Sequence, residues 1–326
     1  MGSDATAAGS ADGRTSSETD LTAGVLLRAL VRDLPTLLAC LFLLAVIGSA
    51  LGAPLLAPYD PLAQNLALRN QPPLTLAADG GFPHLFGTDA LGRDVFSRLM
   101  HGSRVSLSVG FASVLISGTL GVTLGLISGY YRGRVDDVIM RIVDLMLGFP
   151  TLLLALFILF VVGPGFTNLV LVLALTRWMV YARITRGMTM SYRESPFVEG
   201  AIAIGCRDAR VITRHILPNL ISPILIFATL EIATLILAEA GLSFLGLGIQ
   251  PPSASWGLEV SAGREYITSA WWLVTIPGFI ILLTTLSLNL LAGWFRAISD
   301  PTQRWRWLSG AGTSVNRAAV ATGAGE

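Results

Sequence analysis

Few side chains in this sequence have the type and spacing to do chemistry. His84, His101 and His215 are far apart, Cys40 sits in an apolar run, and Cys206 sits in a polar loop. Neither set has the short spacing of a metal site such as C-x-x-C. Nucleophilic catalysis would need a nucleophile beside a base, and no Ser/His or paired-Asp arrangement stands out. A phosphate-binding loop of the G-x-x-x-x-G-K-[ST] kind is excluded, because the chain has no lysine. What remains is charge placed where charge is costly. Arg141, Asp144, Arg177, Glu231 and Glu239 fall in apolar runs, and ionisable groups within a membrane mark ion pairs or a solute path. Arg141 and Asp144, about one helical turn apart, are expected to pair locally. Arg177 would need a carboxylate from another helix. Glu231 and Glu239 are separated by about 80° of helical rotation. They are candidates to line a pore; bonds to another subunit or to loop backbone are the alternative.

These residues must be positioned by membrane helices. The chain has 326 residues, 53% hydrophobic and 13% charged, against roughly a quarter charged in a soluble domain. The apolar residues form runs close to the roughly 20 that span a bilayer core. Six spans are expected, near residues 34–56, 105–130, 138–162, 166–181, 218–241 and 271–295. Gly163-Pro164-Gly165 makes a hairpin of the third and fourth. Gly121, Gly125 and Gly129, four apart, would let a neighbouring helix approach the second span closely. Residues 1–24 and 301–326 read as disordered tails, 25–104 as a first span with an external segment, and 105–300 as a core domain of five spans. Arg28, Arg32, Arg132, Arg134, Arg183, Arg186, Arg193, Arg296, Arg304 and Arg306 then lie on one side, predicting both termini in the cytoplasm. The long segment 57–104 is an exception, its arginines offset by Asp60, Asp79, Asp89 and Asp94. Asp89, Arg93, Asp94 and Arg98 contain two i,i+4 pairs and suggest a salt-linked surface helix. Pro251-Pro252 and Trp256 suggest a stiff outer loop resting near the membrane interface. A net charge of +1 gives no argument for a nucleic-acid partner.

Between the fourth and fifth spans runs SYRESPFVEGAIAIGCRDARVITRHILPN, residues 191–219. Ser195 before Pro196 is a hydroxyl cap followed by a residue that needs no donor at the first helical position. A short helix over 196–203 is expected, then a turn at Gly205, then a second helix over about 208–216. Phe197, Val198, Ala201, Ile202 and Ile204 make the loop too apolar for a solvated linker. Arg207, Asp208, Arg210 and Arg214 keep it out of hydrocarbon. Two readings stay open on these grounds: a helical knob for a groove on a soluble protein, or a helix lying on anionic lipid.

Glu199-Gly200-Ala201, three residues, Gly205, and then Ile216-Leu217-Pro218 resemble the EAA loop of ABC-importer permeases, with Gly200 in place of the middle alanine. LFGTDALGRDVFSRLMHGSRVSL (85–107) and AEAGLSFLGLGIQPPSASWG (238–257) are similar to the dipeptide/oligopeptide/nickel permease family. The first span with APLLAPYDP (53–61) resembles the extra N-terminal region of its C-type subunits. Together they cover about residues 30–301.

The resemblance implies an all-α integral membrane protein with six transmembrane helices, an ABC type I importer permease fold in a bacterial inner membrane. It implies half of a translocation pore, with a second, B-type permease subunit, two ATPase subunits or domains, and an external substrate-binding protein as partners. The chain itself would be non-catalytic and hold no cofactor or metal; ATP and Mg would be bound by the ATPases. Glu199, Gly200, Ala201, Gly205, Arg207, Asp208, Arg210, Leu217 and Pro218 would form the coupling element, with Glu199 and the arginines fixing register and Ala201 and Gly205 permitting close packing. Di- or oligopeptides are the expected substrates, nickel chelates or another small solute the alternative. An ion-driven secondary transporter would instead need buried ion-binding groups and repeated halves, and no convincing internal repeat is present.

Overall fold

A computed structural model describes residues 30–31, 33–76 and 81–299. Both expected tails lie outside these residues, as do Arg28, Arg32, Asp79, Arg304 and Arg306. The described residues form helices and no named strand; the extended contacts are the isolated bridges Thr75–His84 and Thr88–Asp94.

Helix α1 (Leu34–Leu56) is apolar around its whole circumference, as a lipid-facing helix must be. It packs through one narrow face, Ala39, Leu43, Val46, Ala50 and Ala53, while Leu41, Leu44, Leu51 and Leu55 point outward. Helix α2 (Val95–Tyr131) starts ten residues before the expected span, because Asp94 accepts from Ser97 N at 2.7 Å and caps it. Its length, about 55 Å at 1.5 Å per residue, exceeds a hydrocarbon core of ~30 Å.

Small residues let α2 serve as the central post. Gly102 meets the Ser255 backbone and the Trp256 side chain, Gly110 meets Ile232 and Ile236, and Gly121, Gly125 and Gly129 meet Trp178, Ala182 and Arg186. The glycine spacing is therefore used within the chain, against α6.

The third span is not one helix. Helices α3 (Gly133–Leu147) and α4 (Thr151–Val162) are bent by 86° at the break. Pro150 lacks an N–H and pushes Phe149 out of the helical region, so the helix stops there. At 12 residues, α4 is roughly 18 Å long and cannot cross alone. Gly163 and Gly165, at φ 94° and 134°, turn the chain into α5 (Phe166–Leu175). A second break at Thr176–Arg177 precedes α6 (Trp178–Arg193). Beyond the loop helix α7 (Pro196–Ala203), helix α8 (Asp208–Phe244) runs with a π-helical stretch at Val211–Ile216. A short α9 (Trp256–Gly263) and then α10 (Trp272–Ser299) complete the bundle. Among the described residues, five helices or joined helices, α1, α2, α5–α6, α8 and α10, are long and apolar enough to cross, and the bent α3–α4 pair makes a sixth crossing if it counts as one.

The outer segment differs from the expected surface helix. Asp89 closes a turn, accepting from Leu91 N, Arg93 N and Arg93 Nε at 2.8, 2.9 and 2.6 Å. Asp94 pairs with His84 at 2.8 Å rather than with Arg98. Arg98 is buried and donates through Nε and Nη2 to Glu259 of α9 at 3.0 and 2.6 Å, and through Nη1 to Pro61 O at 3.0 Å. Of the two i,i+4 pairs expected from spacing, Asp89–Arg93 forms, within a turn rather than a helix, while Arg98 takes its partner from α9. Trp256 likewise is enclosed in protein, donating to Leu99 O at 3.3 Å, and does not rest at a lipid interface.

Candidate functional site

The loop between α6 and α8 is folded against the bundle rather than draped over it. Val198, Ala201, Val211, Ile216 and Leu220 turn inward, and Val198, Val211, Ile216 and Leu220 form one apolar cluster with Leu126 and Tyr130 at the end of α2. Helix α7 has the expected bounds, with Pro196 at its first position. Ser195 does not cap it, however; its Oγ donates to Tyr192 O, while its carbonyl accepts from Glu199 N at 3.1 Å. Gly205 turns the chain at φ 83°, a conformation that disfavours residues with a Cβ.

The loop is pinned by polar contacts that spacing did not reveal. Tyr130 Oη donates to Asp208 Oδ1 at 2.8 Å, and the Arg193 guanidinium lies 5.2 Å from the Tyr130 ring centroid. Arg132 pairs with Glu194 at 2.7 Å. Asp208 is therefore engaged within the chain. Ala201 also packs inward. Exposed residues of the loop include Phe197, Glu199, Gly200, Ile202, Ile204, Gly205, Arg207, Asp208, Arg210 and Arg214. Leu217 is half-buried, and Pro218 is exposed at the base of α8. The open face mixes apolar side chains with acids and bases, and Ile204 is 82% exposed.

The charges expected within spans are placed as follows. Arg177 pairs with Glu231, Nε to Oε2 at 2.7 Å and Nη2 to Oε1 at 2.5 Å, joining the α5–α6 break to α8. Asp144 pairs with Arg183 of α6, not with Arg141. Arg186 forks onto Asp136 of α3 at 2.5 and 2.6 Å. Glu239 is enclosed within the chain, where Ser106 and Ser243 donate to its carboxylate at 2.9 and 2.8 Å. It offers no atom to a pore, because the two hydroxyls and surrounding apolar side chains surround it. The Ser106 oxygen also accepts from Trp256 N at 3.2 Å, so α2, α8 and α9 meet there. Ser106→Ala would leave a buried acceptor and a buried N–H short of a partner, which costs about 1–3 kcal/mol. A lowered unfolding midpoint of the detergent-purified protein is the expected result; an unchanged midpoint would refute this account of the junction.

Helices able to cross a membrane, deep charges held by ion pairs or by hydroxyls, and one folded loop presented outward define a polytopic membrane protein. Residues 121–305 match the family described as binding-protein-dependent transport system inner membrane component. Residues 26–73 match the N-terminal TM domain of oligopeptide transport permease C. The chain belongs to this family of ABC-importer permeases, as a C-type subunit with the type I importer fold. It is 42% identical over 261 residues to the di/tripeptide transport system permease protein DppC of Pseudomonas aeruginosa, covering 80% of this chain and 86% of that one. It is 39% identical over 269 residues to the dipeptide transport system permease protein DppC of Bacillus subtilis, covering 82% and 80%. To the probable D,D-dipeptide transport system permease protein DdpC of Escherichia coli it is 40% identical over 249 residues, covering 76% and 81%. A solved amino acid ABC transporter chain overlaps with a TM-score of 0.46 at 20% identity, over 61% of this chain and 91% of that one. That likeness is too low to bear on the fold.

Proposed function

We propose that this chain forms half of the translocation pore of an ATP-driven peptide importer. Peptide substrate is supported by the names of the relatives, which are di- and tripeptide permeases. A B-type permease subunit would complete the pore, two ATPase subunits or domains would hold ATP and Mg, and an external binding protein would deliver substrate. The basic loops support an orientation with both termini cytoplasmic and residues 57–94 outside.

The open face of α7 carries the mechanical part of this reading. A short helix whose buried side is fastened to the ends of α2 and α6 can pass a push from a bound ATPase directly into the bundle. Glu199, Arg207 and Arg210 would set the docking register by charge, while Phe197, Ile202 and Ile204 would enter an apolar groove. Leu217 and Pro218 would carry the displacement into α8. Glu199→Ala combined with Gly205→Asp removes the acid and strains the turn, leaving the buried side intact. The expected result is loss of ATPase copurification and a peptide uptake rate lowered about tenfold or more, the scale of a lost hot-spot contact. Unchanged uptake and unchanged copurification would overturn the reading.

A further inference from the structure

Two helix breaks meet at one cavity. The 148–150 bend is followed by Thr151, and the second break lies at Thr176–Arg177. Thr151, Thr176 and Arg177 all line a cavity of about 440 Å³, whose other walls include Leu152, Leu173 and Thr234. Broken helices at membrane depth persist where the freed backbone is buried in protein or lines a polar cavity.

The ion pair at this place is turned one way. Arg177 lines the cavity and Glu231 does not; their side chains are 19% and 5% exposed. Nε and Nη2 of Arg177 are engaged by Glu231, and Nη1 has no partner among the described residues. The cavity thus meets the cationic half of the pair. The exposed hydroxyl of Thr234 donates to Leu230 O, which leaves its oxygen to act as an acceptor.

We propose that this cavity is a substrate subsite, in which Arg177 Nη1 donates to the terminal carboxylate of a peptide in transit. Thr234 accepts from its N–H. The inference rests on the peptide-import reading above. Glu231 holds the guanidinium in place and offsets its charge, so the carboxylate is recognised but not trapped, as passage through a pore requires. The volume lies within the 300–1,000 Å³ typical of small-molecule sites.

The test uses the assembled importer in proteoliposomes and the dipeptide of alanine and p-benzoylphenylalanine as a photoprobe. Label is expected on the cavity walls of α4, α5 and α8. Unlabelled Ala-Phe should compete about tenfold better than its C-terminal amide, the scale of one hydrogen bond between charged groups. Arg177→Gln should lower labelling about tenfold and erase that preference, and Arg177→Lys should restore most of it. Thr234→Phe fills the cavity at an exposed position and leaves the ion pair whole; it should lower labelling even if the Arg177 variants fold poorly. Label elsewhere, equal competition by acid and amide, or a preference that survives Arg177→Gln would each overturn the subsite. Ala-Phe uptake with ATP and binding protein is measured on the same vesicles. Absent uptake would refute the import reading, whereas uptake without cavity label would refute the subsite alone.

Discussion

Glu259→Ala is expected to destabilise the protein by about 3 kcal/mol or more, the cost of stripping one partner from a buried ion pair. Arg98 and Glu259 are nearly inaccessible, and the guanidinium links α2 to α9 and to the backbone of Pro61. Removing Glu259 leaves a buried cation with Asp89 Oδ2 at 3.9 Å as its nearest acid. That acid is already engaged by Arg93, so it relieves the charge only in part and keeps the loss toward the lower end of the range. The expected signs are a lowered thermal midpoint in detergent and faster proteolysis of residues 57–94. Replacing both partners, with Arg98→Met and Glu259→Leu, should recover much of the loss, because neither charge of the pair is left buried without its partner. A midpoint for Glu259→Ala within error of the parent would show that the pair contributes nothing.

Gly125→Val should be at least as damaging, by a different route. A Cβ at Gly125 would lie 2.6 Å from Ala182 O and 2.7 Å from Thr185 Cβ. One at Gly121 would lie 2.3 Å from Trp178 O, and one at Gly129 would lie 2.7 Å from Arg186 O. Backbone atoms, not flexible side-chain ends, obstruct all three positions, so α2 and α6 must move apart. Overpacking typically costs 1–3 kcal/mol. Here the separation would also stretch the Arg186–Asp136 fork and the Ser128–Asp136 hydrogen bond at 2.5 Å. The expected outcome is a loss of monodisperse protein on size-exclusion chromatography. Gly118→Ala, whose Cβ would find Tyr181 at 3.6 Å, serves as the tolerated control. If Gly125→Val behaved like Gly118→Ala, the close approach of these helices would not be needed for folding.

The sequence by itself determined the features that depend on neighbours in the chain or on bulk solvent preference. The long apolar runs set five of the crossings. Pro196 and Gly205 set the start of α7 and the turn after it, since proline and glycine act through their own backbone angles. The family motifs supplied the class. Gly121, Gly125 and Gly129 announced a close helix approach without naming the helix.

Only the tertiary structure decided the pairings. Arg177 finds Glu231 across 54 residues and Arg98 finds Glu259 across 161. Asp144 and Asp94, expected to pair with Arg141 and Arg98, are taken by Arg183 and His84. Charge has no periodicity that marks a distant partner; burial makes an unpaired ion costly, and whichever helix lies alongside supplies the counter-ion. Glu239 illustrates the same limit: its helical position suggested a pore, but packing enclosed it between Ser106 and Ser243. The bend at 148–150 was written in Gly148 and Pro150, yet a continuous apolar run concealed it. Its consequence, a short α4 beside the Arg177 cavity, appears only once the helices are assembled, because a cavity is bounded by residues from several elements and belongs to none of them alone.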